Sequence, residues 1–202
     1  MPKGADEFEA LLAPCLDGLA LRLDDEQLRQ LGRHYNLLRQ WNRRINLTAL
    51  TTPADIIDRH FRESLFLASR IDDRKLRIVD IGSGGGFPGV PVAVLRPDCD
   101  VTLVESVGKK ATFLKEVCRE IPNVSVRASR LEEHDGTYDW ACVRGVAVPS
   151  IALWLRGHVR RLALLTGSSK EKEVRGVQGI RWGESEPVSD GGKRILIIGS
   201  IL

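Results

Sequence analysis

The sequence predicts an α/β protein: a doubly wound, mostly parallel β-sheet that follows an N-terminal helical cap. Up to residue 69, apolar residues recur with a period near 3.6, which is typical of amphipathic helices. From Leu76 onward, short apolar runs of strand length alternate with helical segments, as they do in βαβ units. A glycine-rich stretch over 82–89 separates the first such run from the first helix. We therefore place a cap at 1–75 and a sheet domain at 76–202.

Three helices are predicted in the cap. The first is indicated by Phe8, Leu11 and Leu12. Asp24 or Asp25 can cap a longer second helix. The apolar face of that helix comprises Leu28, Leu31, Tyr35, Leu38 and Trp41. Pro53 suits the first turn of a third helix, in which it needs no hydrogen-bond donor. The apolar stripe of the third helix comprises Ile56, Ile57, Phe61, Leu65 and Phe66.

The sheet domain should contain five parallel strands, joined by helices, and a closing hairpin. The strands are predicted at Leu76–Ile81, Val101–Val104, around Val124 and Val126, at Tyr138–Val143 and at Leu162–Leu165. The helices are predicted at Gly89–Leu95, Ala111–Val117 and Ile151–His158. Arg194–Ile198 and a weaker run at Ile180–Trp182 predict the hairpin.

Composition excludes several classes of protein. Of the 202 residues, 43% are hydrophobic and 28% charged, which is ordinary for a globular domain, and the net charge of +3 does not by itself require nucleic acid. No apolar run is long enough to span a membrane, and the first residues lack a signal peptide, so we expect a cytoplasmic protein. The cysteines form no C-x-x-C pair and should be buried thiols; the histidines show no ligand spacing, so no metal site is expected.

The glycine-rich loop is the most informative segment. It runs from Asp80 through Gly82 and Gly84 to Gly89, between a strand and a helix, where ligands bind in open α/β sheets. The dinucleotide fingerprint G-x-G-x-x-G needs a small residue at its sixth position, and that position is Phe87 here. No Gly-Lys-Ser/Thr follows, which excludes a Walker loop. The loop therefore indicates a ligand other than a dinucleotide or a nucleoside triphosphate.

The position of Glu105 further restricts the class of ligand that the loop can bind. It ends the second predicted strand, where a carboxylate can accept hydrogen bonds from both ribose hydroxyls of a nucleoside. A nucleoside without a pyrophosphate, held by a glycine loop that starts with an acidic residue, resembles the S-adenosylmethionine site of class I methyltransferases.

Further blocks carry a closer resemblance. They are Trp41-Asn42-x-x-x-Asn46-Leu47-Thr48, Arg59-His60-x-x-x-Ser64-Leu65, the stretch from Gly82 to Pro91, Leu103-Val104-Glu105-Ser106-x-x-Lys109-Lys110-x-x-Phe113-Leu114, Arg130-Leu131-Glu132-Glu133, and Arg144. In their order and spacing they resemble the ribosomal RNA small subunit methyltransferase G family, also called glucose-inhibited division protein B. The resemblance is strong from Trp41 to Ala147 and weak beyond it.

This resemblance implies a class I, Rossmann-like enzyme that methylates N7 of one guanosine in the decoding region of 16S ribosomal RNA, with S-adenosylmethionine as donor. It implies that Gly82 and Phe87 line the cofactor, with Asp80 and Gly84 in the same loop. Glu105 would take the ribose, Leu131 and Glu132 would flank the adenine, and Arg144 would reach the cofactor. The small subunit would be the partner of a monomeric enzyme.

The chain also departs from the family pattern. Arg144-Gly145 stands where Arg-Ala is usual, and Thr166-Gly167 stands where Lys-Gly is usual. We therefore transfer no role to that lysine. Two alternatives stay open: a non-catalytic module that binds S-adenosylmethionine or aids ribosome assembly, and a methyltransferase for small molecules.

The residues fit N7 as the methyl acceptor. N7 of guanine has a free lone pair and no proton to remove, so we name no catalytic acid or base. No Asn-Pro-Pro-Tyr follows the fourth strand, which argues against methylation of an exocyclic amino group. Cys142 lies within an apolar strand and should be an inert thiol rather than a nucleophile.

RNA binding would have to come from local charge. Residues 33–44 contain four arginines and no acidic residue. The candidate RNA-binding residues are Arg39, Arg43, Arg44, Arg59, His60, Lys109 and Lys110. A solvated helix face is the alternative for the arginines, and a structural hydrogen bond is the alternative for His60. For Trp41 and Tyr35 we expect packing of the cap onto the sheet domain rather than stacking on bases, which is the alternative.

Overall fold

The computed structural model describes residues 3–188 and 191–202, with side chains described from Glu7 onward. The cap consists of α1 (Lys3–Leu19), α2 (Asp25–Asn42), α3 (Pro53–Ile56) and α4 (Glu63–Ser69). A π-helical segment, Ile57–Arg62, joins α3 to α4, so the third predicted helix is one continuous rod with a wider turn in its middle.

Asp24 begins α2, as predicted. Its carboxylate accepts a hydrogen bond from the Gln27 amide at 2.8 Å, and the Gln27 side chain accepts one from the Asp24 amide at 3.0 Å. This reciprocal pair satisfies two amides that the helix itself leaves without partners.

The sheet has seven strands in the order β3-β2-β1-β4-β5-β7-β6. They are β1 (Arg77–Ile81), β2 (Asp100–Val104), β3 (Val124–Arg127), β4 (Tyr138–Arg144), β5 (Val159–Gly167), β6 (Ile180–Pro187) and β7 (Arg194–Ile201). The first five are parallel, while β7 runs antiparallel to both β5 and β6. The doubly wound sheet and its closing hairpin are confirmed, although β5, β6 and β7 are longer than predicted.

Helices cover both faces of the sheet. They are α5 (Gly89–Leu95), α6 (Gly108–Val117), α7 (Val148–His158) and a short α8 (Glu171–Arg175). Along β4, Trp140 and Cys142 contribute to one apolar cluster, and Ala141 and Val143 to the other. This alternation is what a sheet buried on both faces requires.

The cap helices pack against one face of the sheet, in the apolar cluster that contains Trp140 and Cys142. Phe8 from α1, Leu31 from α2 and Phe61 from the π-helical segment pack in the same cluster as Ile78 of β1. The cap therefore has one core in common with this face. A division of the chain into separate domains at residue 75 stays a prediction.

Within the described residues, no helix is long and apolar enough to cross a bilayer. Of the four cysteines, three are buried and Cys15 is half-buried, and all are free thiols. Burial raises the pKa of the Cys142 thiol well above its usual range, as expected for an inert thiol.

Candidate functional site

The glycine loop lies at the carboxyl ends of β1 and β2. The amides of Gly82 and Ser83 donate to the carbonyl of Val104, at 2.9 and 3.1 Å, which folds the loop over the end of β2. Gly82 has a φ of +70°, and a Cβ there would lie 2.7 Å from Cγ2 of Val146. Only glycine fits this position, because both the backbone conformation and the space exclude a side chain.

Glu105 holds the loop from the neighbouring strand. One carboxylate oxygen accepts a hydrogen bond from the Gly84 amide and the other from the Val107 amide, each at 2.8 Å. The residue is only 6% exposed. An ionised carboxylate has about four acceptor positions, so two remain for hydroxyl donors of a ligand. The predicted partnership of the loop with Glu105 is present, and ribose binding stays a prediction.

Asp80 lies behind the loop. It is fully buried, and its Oδ2 accepts a hydrogen bond from the Gly89 amide at 3.1 Å, at the start of α5. Burial raises the pKa of this carboxyl to about 7, because the charged form loses its hydration. Asp80 is therefore placed to hold the glycine loop against the start of α5, and its predicted part in binding the cofactor stays a prediction.

The Phe87 ring is enclosed by two histidines of the cap. His34 and His60 stack on it, each with its ring centroid 4.5 Å from that of Phe87. Nε2 of His34 donates to the carbonyl of Gly85 at 2.7 Å, and Nε2 of His60 is hydrogen-bonded to the Thr48 hydroxyl at 2.7 Å. The Phe87 ring thus joins the glycine loop to the cap, and the expectation that Phe87 lines the cofactor stays a prediction.

Burial keeps both histidines neutral at physiological pH. It lowers the pKa of His34 to about 4 and that of His60 to about 3, where the nearby Arg144 adds to the effect. The hydrogen bond of His60 to Thr48 favours the structural role that was the alternative for this residue, and an RNA contact of His60 stays a prediction. His34 was not singled out, because helical periodicity shows only that it faces the core.

Leu131 and Glu132 lie in a short 3-10 turn, Leu131–Glu133, after β3. Leu131 is buried in the apolar cluster that contains Ile81 and Val104 at the ends of β1 and β2, and Glu132 is exposed. The turn therefore lies on the same edge of the sheet as the glycine loop. Its predicted contact with an adenine stays a prediction.

Arg144, at the end of β4, belongs to a buried ion cluster. Its Nη2 lies 3.6 Å from Oε2 of Glu63, and Nη2 of Arg194 lies 3.2 Å from the same oxygen. Glu63 is 1% exposed. Burial lowers the pKa of Arg144 to about 10, so the guanidinium stays charged at neutral pH. We call Glu63, Arg144 and Arg194 the Glu63 cluster.

Sequence reasoning missed Glu63 and Arg194. In the register of β5 and β7, Arg194 lies opposite Gly167, so the C-terminal strand brings a cation to the end of β5, where Thr166-Gly167 stands in place of Lys-Gly. The other departure, Gly145, has a φ of +76°, which glycine adopts without strain.

The candidate RNA-binding cations differ in their pairing. Nη1 of Arg39 lies 2.7 Å from Oε2 of Glu7 on α1, which favours a structural role. Within the described part of the chain, the remaining candidates form no ion pair: Arg43, Arg44, Arg59, Lys109 and Lys110. Lys109 and Lys110 lie in the first turn of α6, which contains no acidic residue. Cations there oppose the helix dipole, an unfavourable position that a bound anion would relieve.

Two solved methyltransferases are similar to this chain in fold. The ribosomal protein L11 methylase of Lactobacillus delbrueckii superposes with a TM-score of 0.61 at 14% identity, covering 71% of this chain and 78% of its own. The magnesium protoporphyrin IX methyltransferase of Synechocystis, solved with bound S-adenosylmethionine, gives 0.60 at 16% identity, covering 90% and 99%. The fold is thus that of the class I methyltransferases.

The sequence comparison identifies the family. The GidB model, described as rRNA small subunit methyltransferase G, matches residues 27–178. Curated relatives named ribosomal RNA small subunit methyltransferase G include those of Roseiflexus castenholzii, 45% identical over 135 residues, and Anaeromyxobacter sp., 38% identical over 161 residues. These alignments cover 63% and 77% of this chain, and 58% and 74% of the relatives. The chain belongs to the ribosomal RNA small subunit methyltransferase G family. It spans about three fifths of the Roseiflexus relative.

Proposed function

We propose that this protein transfers a methyl group from S-adenosylmethionine to N7 of one guanosine in 16S ribosomal RNA of the small subunit. The observation that carries the proposal is the carboxylate of Glu105, which is hydrogen-bonded to the glycine loop at the joined ends of β1 and β2. This arrangement occurs in a chain of a family whose members are named for that reaction class. Because small subunits are cytoplasmic, the function implies a cytoplasmic protein.

The chemistry of the site fits this cofactor. The carboxylate of Glu105 has acceptor positions for ribose hydroxyls, and Leu131 offers an apolar surface to an adenine ring. Gly82 and Gly84, both with positive φ, let the backbone approach a ligand closely. Arg144 offers a guanidinium that could pair with the methionyl carboxylate. When bound, S-adenosylmethionine supplies an electrophilic methyl group on a sulfonium.

The protein's own contribution is positioning and exclusion of water. Guanine N7 attacks with its free lone pair, and no side chain has to remove a proton. Holding the two reactants in line contributes as much as about 7–11 kcal/mol in favourable systems. Two charged side chains of the site are held in place before any ligand binds. Glu105 is held by its buried hydrogen bonds to the loop, and Arg144 is held by its ion pair in the Glu63 cluster. Preorganised groups of this kind need little rearrangement in the transition state.

RNA would bind across the cations that the fold leaves unpaired. Arg43 and Arg44 at the end of α2, and Lys109 and Lys110 at the start of α6, are the candidates, with Arg59 on the π-helical segment. Replacing both Arg43 and Arg44 by Ala should reduce the slope of log affinity against log salt by roughly 0.7–0.9 for each lost phosphate contact. Replacing Arg39, which is paired with Glu7, should change that slope less.

The test uses purified protein, labelled S-adenosylmethionine and small subunits from a strain that lacks the gene. After digestion, the label is expected in 7-methylguanosine from one site. Glu105→Ala should reduce labelling and cofactor affinity together. Label in an exocyclic methyl group or in a pyrimidine would refute the proposed chemistry. Cofactor binding without labelling of subunits, assembly intermediates or free RNA would favour the non-catalytic module. Labelling of small molecules alone would favour the methyltransferase for small molecules.

A further inference from the structure

A groove between the cap and α6 is not used by the proposed chemistry. It lies between the end of α2 and the start of α6 and has a volume of about 300 Å³. We call it the α2–α6 groove, and it is lined by Gln40, Trp41, Arg44, Ile45, Lys109 and Thr112. We propose that this groove holds an unstacked base of the RNA substrate beside the methylated guanosine. The proposal rests on the proposed function and deepens it by assigning a second RNA-binding site.

The floor of the groove suits a flat apolar ring. Trp41 and Ile45 are both half-buried, so part of each side chain faces the groove. The Trp41 ring is backed by Phe113, with the ring centroids 5.8 Å apart and the planes at 60°. This contact holds the indole in place. A supported aromatic ring of this kind is the platform on which single-stranded bases stack.

The rims of the groove carry charge that the protein does not neutralise. Arg44 lies on one rim and Lys109 on the other, and neither forms an ion pair with the residues that the structure describes. By contrast, Arg33 on α2 pairs with Glu116 on α6 at 2.9 Å. A nucleotide joins a flat base to an anionic phosphate, so it matches both the aromatic floor and the cationic rims of the groove.

The groove is close to the site that would hold the cofactor. The helix α6 begins at Gly108, directly after the Val107 amide that donates to Glu105. The side chain of Val107 is 47% exposed, so the short connection is open to solvent. A strand of RNA that presents its guanosine near the glycine loop would therefore have a neighbouring base within reach of the groove.

The first experiment measures methylation of small subunits by Trp41→Leu. Loss of stacking should raise the KM for subunits by roughly 5- to 150-fold, while the affinity for S-adenosylmethionine and the kcat at saturating subunits are retained. Trp41→Phe should restore most of the loss because it keeps an aromatic face. Trp182→Leu, at a half-buried tryptophan of β6, is the matched control and should leave the KM unchanged.

The rims are tested in the same way with a charge control. Lys109→Ala should weaken subunit binding and lower the salt slope by roughly 0.7–0.9. Lys115→Ala removes an exposed cation from the same helix outside the groove and should have a smaller effect. Circular dichroism of each variant identifies any loss of folding. If Trp41→Leu fails to fold, Lys109→Ala against Lys115→Ala decides the rim contact.

A cross-linking experiment identifies the occupant. Subunits are reconstituted with 5-iodouridine placed singly at positions flanking the target, irradiated with the protein, and the attached peptide is identified by mass spectrometry. Attachment to the peptide that contains Trp41 supports the proposal. An unchanged KM in Trp41→Leu, or attachment of the groove to a ribosomal protein instead of RNA, would overturn it. If the wild type methylates no subunit, the proposed function fails; the Trp41→Leu comparison is then made on binding of a hairpin RNA, so the two failures are separable.

Discussion

Removing the carboxylate of Glu63 should destabilise the protein far more than removing a carboxylate from its surface. Glu63 is 1% exposed, and its Oε2 lies 3.2 Å from Arg194 and 3.6 Å from Arg144. In Glu63→Ala, two largely buried guanidiniums would face each other without an anion. One nitrogen of each, Nη1 of Arg144 and Nε of Arg194, is already buried without a hydrogen-bond partner.

The expected cost follows from this geometry. Removing one partner of a buried ion pair costs about 3–5 kcal/mol, because the remaining charge stays desolvated. In a protein of this size, 1 kcal/mol lowers the melting temperature by about 2–4 °C, so Glu63→Ala should lower it by about 6–20 °C. Glu63→Gln keeps the shape and one acceptor oxygen, and it should lie between Glu63→Ala and the wild type.

The assay is urea unfolding followed by circular dichroism, with Glu186→Ala as the matched control. Glu186 pairs with Arg70 at 2.9 Å, and their side chains are 42% and 41% exposed. This pair also joins the cap to the C-terminal hairpin, yet an exposed pair contributes only about 0–1 kcal/mol. If the two variants lost the same free energy of unfolding, or if Glu63→Ala lost less than about 1 kcal/mol, burial of the charge would not be the cause argued here.

Three further predictions concern the site. Glu105→Ala should weaken S-adenosylmethionine binding, measured by calorimetry, by roughly 10- to 150-fold, because hydrogen bonds to a charged acceptor contribute about 1.5–3 kcal/mol; unchanged affinity would count against the site. The pKa of Asp80 is raised to about 7 in the folded protein, so folding favours the protonated carboxyl. The resulting contribution to the free energy of unfolding should be complete below about pH 4 and be lost as the pH rises through about 7, whereas Asp80→Asn should lack this pH dependence. Urea unfolding curves with the same pH dependence in both proteins would contradict this. Gly89→Ala should lower the free energy of unfolding by about 3 kcal/mol or more, because its Cβ would lie 2.3 Å from Cδ2 of Leu103. A Cβ at Gly108 would meet nothing within 4 Å, so the control Gly108→Ala should be tolerated. Equal melting temperatures of the two variants would refute the packing argument.

The sequence predicted the elements whose signals are local. Hydrophobic periodicity and the turn residues located the cap helices, the parallel strands and the hairpin, and Asp24 indicated the start of α2. The glycine loop and Glu105 could be paired because carboxyl ends of adjacent parallel strands meet at one edge of a sheet. Both inferences depend on residues close in sequence or on a general rule of topology.

Contacts between distant segments could not be predicted in this way. The ion pair of Arg39 with Glu7 joins α2 to α1, and the stacking of His60 on Phe87 joins the π-helical segment to the glycine loop. Arg194 reaches Glu63 only because β7 pairs with β5 in one particular register. Each outcome depends on which distant side chains meet, and neither periodicity nor composition contains that information.

The stacking of His34 and His60 on Phe87 has a consequence for how ligands would influence one another. The ring belongs to the glycine loop, while both histidines belong to cap segments, so a displacement of the loop has to separate aromatic faces that are 4.5 Å apart between centroids or carry the cap with it. Ligand binding at the loop and ligand binding on the outer surface of α2 would then affect each other through this one contact. Thermodynamic linkage requires any such effect to be reciprocal: whatever RNA on the cap does to the affinity for S-adenosylmethionine, S-adenosylmethionine does equally to the affinity for RNA. If both ligands favour the same position of the loop, each would raise the affinity for the other.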